Sequence, residues 1–138
     1  MRSSTNKQEN IQHESQSVDI EGAVRRAARA AGEKKATDIV ALDLKKIASF
    51  TEYFLICSGA SARQVAAIAE AVEDELRKTG KRPLHTEGYS SAEWILLDYG
   101  DFIVHVFSNA ARRFYDLERL WRDAGRLEIE EEGGTAKE

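Results

Sequence analysis

Residues 94 to 107 constrain the fold more than any other stretch. Two apolar runs, Trp94 to Leu97 and Phe102 to Phe107, flank a turn near Tyr99-Gly100. Runs of this length on either side of a glycine turn read as a β-hairpin. A hairpin alone is marginally stable in water, so further strands or helices must cover it. Side chains alternate across a strand. Trp94, Leu96 and Asp98 therefore share one face, and Ile95, Leu97 and Tyr99 the other. In the second strand Ile103, His105 and Phe107 share one face, and Phe102, Val104 and Val106 the other. The all-aliphatic set is expected against helices. The face with Trp94, Leu96, Asp98 and His105 mixes a large aromatic with charge, which suits either a catalytic acid pair or a partner-binding surface.

Three helices are expected. Ile20, Ala23, Val24, Ala27, Ala28 and Ala31 recur at helical spacing from about Val18 to Ala31, with Ser17 as cap, Asp19 and Glu21 in the first turn, and Gly32 as stop. Arg25, Arg26 and Arg29 lie off that stripe and read as a solvated face. Ser61 with Gln64 has the form of a capping box. It opens a helix with the stripe Val65, Ile68, Ala69, Val72 and Leu76, closed by Gly80. A third helix is expected from about Asn109 to Ala124, with Ala110, Phe114, Leu117 and Trp121 recurring every three or four residues and Gly125 following. Further strands are expected at Asp38–Leu44, Tyr53–Ser58 and, weakly, Leu84–Glu87. The continuous apolar run from Tyr53 suits a strand covered on both faces. The order predicts an α/β (α+β) fold, one mixed β-sheet flanked by helices.

The 138 residues suit one domain, expected over 18–125, between a polar disordered extension at 1–17 and an acidic disordered tail at 126–138. The net charge is −4, of which the tail carries −3, so the domain itself is nearly neutral. That balance disfavours phosphate-driven nucleic-acid binding overall, and specific DNA binding with it, while leaving room for a local basic face. One cysteine, Cys57, points to a reducing compartment, and no run approaches the ~20 apolar residues of a membrane span. The N-terminus lacks the apolar run of a secretory signal, so a cytoplasmic location is expected.

Direct readings of chemistry are weak. His13, His85 and His105 form no ligand spacing with one another or with Cys57, so no metal or cofactor is expected. Ser58-Gly59-Ala60-Ser61 joins a strand to a helix N-terminus but lacks the glycines and Lys-Ser pair of a phosphate loop. Ser58, Asp98 and Asp101 define the alternative reading, a nucleotidyl- or phosphoryl-transfer enzyme. Asp98 and Asp101 straddle a glycine turn, where aspartate is favoured for local reasons, and need not converge on a metal.

The ordered set Asp38-Ile-Val-Ala-Leu-Asp43, Ser49 through Gly59, Arg63-Gln-Val65, Glu87-Gly88, Trp94 through Val106 and Phe114 through Trp121 resembles the ribosomal silencing factor (Iojap-like) family over about residues 20–124. The resemblance implies a nucleotidyltransferase-like topology without the catalytic acids, and no enzyme activity. It implies a translation repressor that binds the large ribosomal subunit through ribosomal protein uL-fourteen, blocks joining with the small subunit and acts under nutrient limitation, as in stationary phase. Trp94, Leu96, Asp98, Tyr99, Asp101, His105, Arg113 and Tyr115 are the partner-binding residues it suggests. A homodimer through the same sheet face is a further expectation. The chain departs from the family pattern in its polar extension, its acidic tail, and Ser90-Ser91-Ala92 where a glycine-containing loop is more usual.

Overall fold

A computed structural model describes residues 20–129. They form helix α1 (20–33), β1 (Thr37–Asp43), β2 (Tyr53–Gly59), α2 (Ala62–Arg77), β3 (His85–Glu87), β4 (Trp94–Asp98), β5 (Phe102–Ser108), α3 (Asn109–Tyr115), α4 (Leu117–Leu120) and β6 (Gly125–Leu127). The six strands make one mixed sheet in the order β3-β4-β5-β2-β1-β6. Only β2 and β5 run parallel, and every other neighbouring pair is antiparallel.

The two faces of the sheet carry separate cores. Leu55, Cys57, Ile95, Leu97, Phe102, Val104 and Val106 pack against the α1 and α2 stripes. Each fully buried aliphatic side chain there contributes about 1.5–3 kcal/mol. The opposite face carries Leu42, Phe54, Ile56 and Phe107, with Trp94, Ile103, Leu117 and Trp121 packed beside them. Among the described residues, α3, α4 and the segment after β1 shelter it. Every residue of β2 is buried, as its continuous apolar run requires. The α2 cap forms as the sequence predicts: the Gln64 N–H donates to Ser61 Oγ at 3.1 Å, and Gln64 Oε1 accepts from the Ala60 N–H at 2.6 Å.

Three expectations are corrected. Gly32 does not end α1; Lys35, at φ 68, takes the left-handed position, and the Ala36 N–H returns to the Ala31 carbonyl. The third helix is broken. Asp116 sits at φ 50, ψ 54, ending α3 and starting the one-turn α4 in a new direction. Phe114 is therefore 79% exposed and not part of a buried stripe. Finally, the sheet continues past the domain end expected at Gly125, because β6 pairs Leu127 with Ala41 and Arg126 with Leu42. Ser17, Val18 and Asp19, the extension, and the tail from residue 130 lie outside the described residues.

Candidate docking surface

The hairpin register places Trp94 opposite Phe107, Leu96 opposite His105 and Asp98 opposite Ile103, all on the face away from α1 and α2. Trp94 is half-buried. Its ring lies 4.9 Å from Phe107 and 4.6 Å from Tyr115, and its indole N–H donates to His105 Nδ1 at 3.1 Å. With that N–H engaged, the indole presents mainly its ring to the outside. Gly88 makes this position possible. At φ 94 it folds the 88–93 loop onto the start of β4, where a Cβ would stand 1.9 Å from the Trp94 carbonyl oxygen.

Trp94 belongs to a continuous aromatic belt across the sheet. Successive ring centroids are separated by 6.0 Å (Phe50–Trp121), 5.7 Å (Trp121–Phe54), 4.5 Å (Phe54–His105) and 5.9 Å (His105–Trp94). The belt ends at Tyr115, 4.6 Å from Trp94. Its ends are open to solvent: Phe50 is 58% and Tyr115 48% exposed. Between these ends Phe54 and His105 are buried, so the exposed ends and the half-buried Trp94 are the candidate contact surface.

The suggested residues divide. Trp94, Leu96, Asp98, Asp101 and Tyr115 lie on or at the rim of this face. Asp98 has a local duty, its Oδ1 accepting from the Gly100 N–H at 2.8 Å, while Asp101 is exposed. Arg113 is exposed and pairs with no carboxylate among the described residues. Two of the suggested residues sit away from the exposed surface of this face. Tyr99 is on the other face, stacked on Phe102 at 4.9 Å, and burial pushes its phenol pKa up. His105 is only 3% exposed, and burial lowers its pKa to about 3. It supports Trp94 from below as a neutral imidazole. Phe50, Phe54 and Trp121 complete the belt, and sequence reading did not place them there. Phe50 stands in a loop with no periodicity to assign it a face.

The alternative acid site does not assemble. Ser58 aligns with Phe107 and hence with Trp94, whereas Asp98 aligns with Ile103 and Phe54. Four residues of strand, roughly 13 Å, separate these rows. Ser58 Oγ instead accepts from Arg112 Nη1 at 2.7 Å. The same guanidinium reaches the Asp38 carbonyl at 2.9 Å and forms a two-pronged pair with Glu118 at 3.0 and 2.8 Å. Burial pushes the Cys57 thiol up to about 12, which leaves it a poor nucleophile.

In fold class this is an α+β domain, a mixed sheet with α1 and α2 on one face and α3, α4 and an aromatic belt on the other. The family model described as "Ribosomal silencing factor during starvation" matches residues 17–138. The chain is 46% identical over 98 residues to "Ribosomal silencing factor RsfS" of Bacillus subtilis (strain 168), covering 71% of this chain and 83% of the relative. It is 34% identical over 102 residues to "Protein Iojap, chloroplastic" of Zea mays, covering 74% of this chain and 44% of that one. A crystal structure of a Chromobacterium violaceum protein superposes with a TM-score of 0.73 at 37% identity, covering 79% of this chain and 89% of the other. The chain belongs to the ribosomal silencing factor family.

Proposed function

We propose that this chain binds the large ribosomal subunit through ribosomal protein uL-fourteen, using the face that carries Trp94, Leu96 and Tyr115. Bound there, it occupies the surface that meets the small subunit, prevents subunit joining and lowers translation when nutrients run short. The work is steric and needs no cofactor. The observation that carries this reading is the partly exposed aromatic edge of one sheet face, Trp94 and Tyr115, with Asp98 and Asp101 on the same hairpin as Trp94. Half-buried aromatics supply most of the energy at such interfaces. Carboxylates at the rim set orientation and encounter rate against a basic partner. A cytoplasmic location fits this role. Free of the ribosome, the same apolar face suits a homodimer, which light scattering with and without large subunits tests.

The deciding experiment is sedimentation of the Trp94→Ala/Asp101→Lys variant through a sucrose gradient with free large subunits. Asp101 is chosen over Asp98 because Asp98 also holds its own turn. The variant should keep its circular dichroism spectrum, leave the large-subunit fraction and no longer suppress subunit joining. Undiminished co-sedimentation overturns the assignment of this face.

A further inference from the structure

The belt does not account for the cleft beyond Tyr115. This cleft lies along α3 and α4, holds about 620 Å³ and is lined by Arg113, Phe114, Asp116, Arg119, Arg122 and Asp123, among others. It exists because Asp116 breaks the helix. Left-handed geometry at that residue leaves Phe114 and Leu120 79% and 72% exposed, where a continuous helix would carry Phe114 on the same stripe as Leu117 and Trp121.

Among the described residues, Arg113, Arg119 and Arg122 pair with no carboxylate, while neighbouring Arg112 is committed to Glu118. Three guanidinium groups against two aspartates leave one excess positive charge, in a chain whose net charge is −4. Unpaired guanidinium forks fit phosphate oxygens. Phe114 meets Tyr115 edge to face, with an interplanar angle of 89°. An exposed ring of this kind is a platform for an unpaired base, worth about 1–3 kcal/mol per base. An acidic peptide would satisfy the arginines but offer Phe114 no flat partner.

We propose that this cleft is a second contact of the factor. It takes the phosphate backbone of RNA on Arg119 and Arg122 and stacks one unpaired base on Phe114. The inference rests on the ribosome-binding reading, which sets RNA beside the protein partner. With one net positive charge the contact is weak by itself. It acts by adding to the neighbouring anchor, because Tyr115 borders both surfaces and a second contact made from a docked chain is effectively intramolecular.

The test titrates the full chain, Arg119→Gln/Arg122→Gln and Phe114→Ala against three probes: purified large subunits, isolated uL-fourteen, and a fluorescein-labelled oligoadenylate of about ten nucleotides. Both variants should keep wild-type affinity for isolated uL-fourteen and lose roughly fivefold or more toward subunits, the size of about one stacked base. The slope of log affinity against log salt should flatten by about 2 in the arginine variant and stay unchanged in Phe114→Ala. The wild type should bind the oligomer, and both variants should bind it less. Wild-type subunit affinity and salt slope in both variants overturn the proposal. A parallel loss toward isolated uL-fourteen also overturns it, by assigning these residues to the protein contact. A wild-type chain that binds neither subunits nor uL-fourteen sinks the ribosome reading instead. The oligomer then still decides the cleft, with no binding, or equal binding by all three chains, counting against it.

Discussion

The Trp94 indole N–H donates to His105 Nδ1 at 3.1 Å, so His105 is held neutral with its proton on Nε2. That nitrogen is buried without a partner, beside the Phe54 ring. Burial holds the folded pKa near 3, below the ordinary value of about 6.5. The unfolded chain therefore takes up a proton first as the pH falls.

From this follows a pH dependence with a definite sign. His105 adds a constant term above about pH 7. Below about pH 6.5 the fold loses stability, with a slope approaching 1.4 kcal/mol per pH unit from this one group. His105→Phe should remove that dependence. Urea unfolding of both proteins between about pH 7.5 and 4.5 measures it, and a wild-type-minus-variant difference that stays flat over the range contradicts it.

Gly88 is expected to be intolerant although it makes no contact with a partner. Its Cβ would meet the Trp94 carbonyl oxygen at 1.9 Å, and φ 94 disfavours any side chain. Gly88→Ala should lower stability by about 2–4 kcal/mol, a left-handed penalty of about 1–3 kcal/mol plus the clash. Tryptophan emission should shift and subunit binding should fall, because the loop that seats Trp94 has to move. A denaturation midpoint equal to wild type would show that the loop relaxes freely.

Arg112 joins β1, β2, α3 and α4 through Asp38, Ser58 and Glu118, with 11% of its side chain exposed. Removing one partner of a fully buried pair costs about 3–5 kcal/mol. Glu118 keeps 24% exposure, so Arg112→Met should cost nearer 2 kcal/mol. Arg112→Lys should recover less than half of that loss, because lysine lacks the planar fork. Equal midpoints for the Lys variant and wild type would reduce Arg112 to a point charge.

Cys57 should resist alkylation in the folded protein. It is fully buried in β2, and burial raises its thiol pKa to about 12. Iodoacetamide near neutral pH should label it at the rate of global unfolding, and urea should accelerate labelling in step with the loss of circular dichroism. Rapid labelling of the native chain would mean that β2 opens locally.

Five of the six described strands were legible because each is written in its own residues. The run from Tyr53 and the alternation in β4 and β5 gave ends within a residue or two, and assigned Trp94, Leu96 and Asp98 to the correct face. The break at Asp116 was not legible, because Leu117 and Trp121 continue the spacing of a helix that one left-handed residue interrupts. β6 was missed because three residues carry no period; its pairing with β1 is a long-range event. His105 and Tyr99 show the same limit within the site. Alternation told which face each takes, but the burial of His105 comes from Phe54, a neighbour on another strand. The belt as a whole is a tertiary object, built from residues that sequence order keeps apart.

The parallel pairing of β2 with β5 sets when that belt can exist. Phe54 and Ile103 are partners across 49 intervening steps of chain, and the belt closes only with Trp121. Parallel neighbours require such a crossover. During synthesis at about 5–20 residues per second, the emerging chain carries no complete belt until the end of α4 has left the exit tunnel. A nascent chain that stops short of Trp121 thus lacks the complete surface proposed to dock.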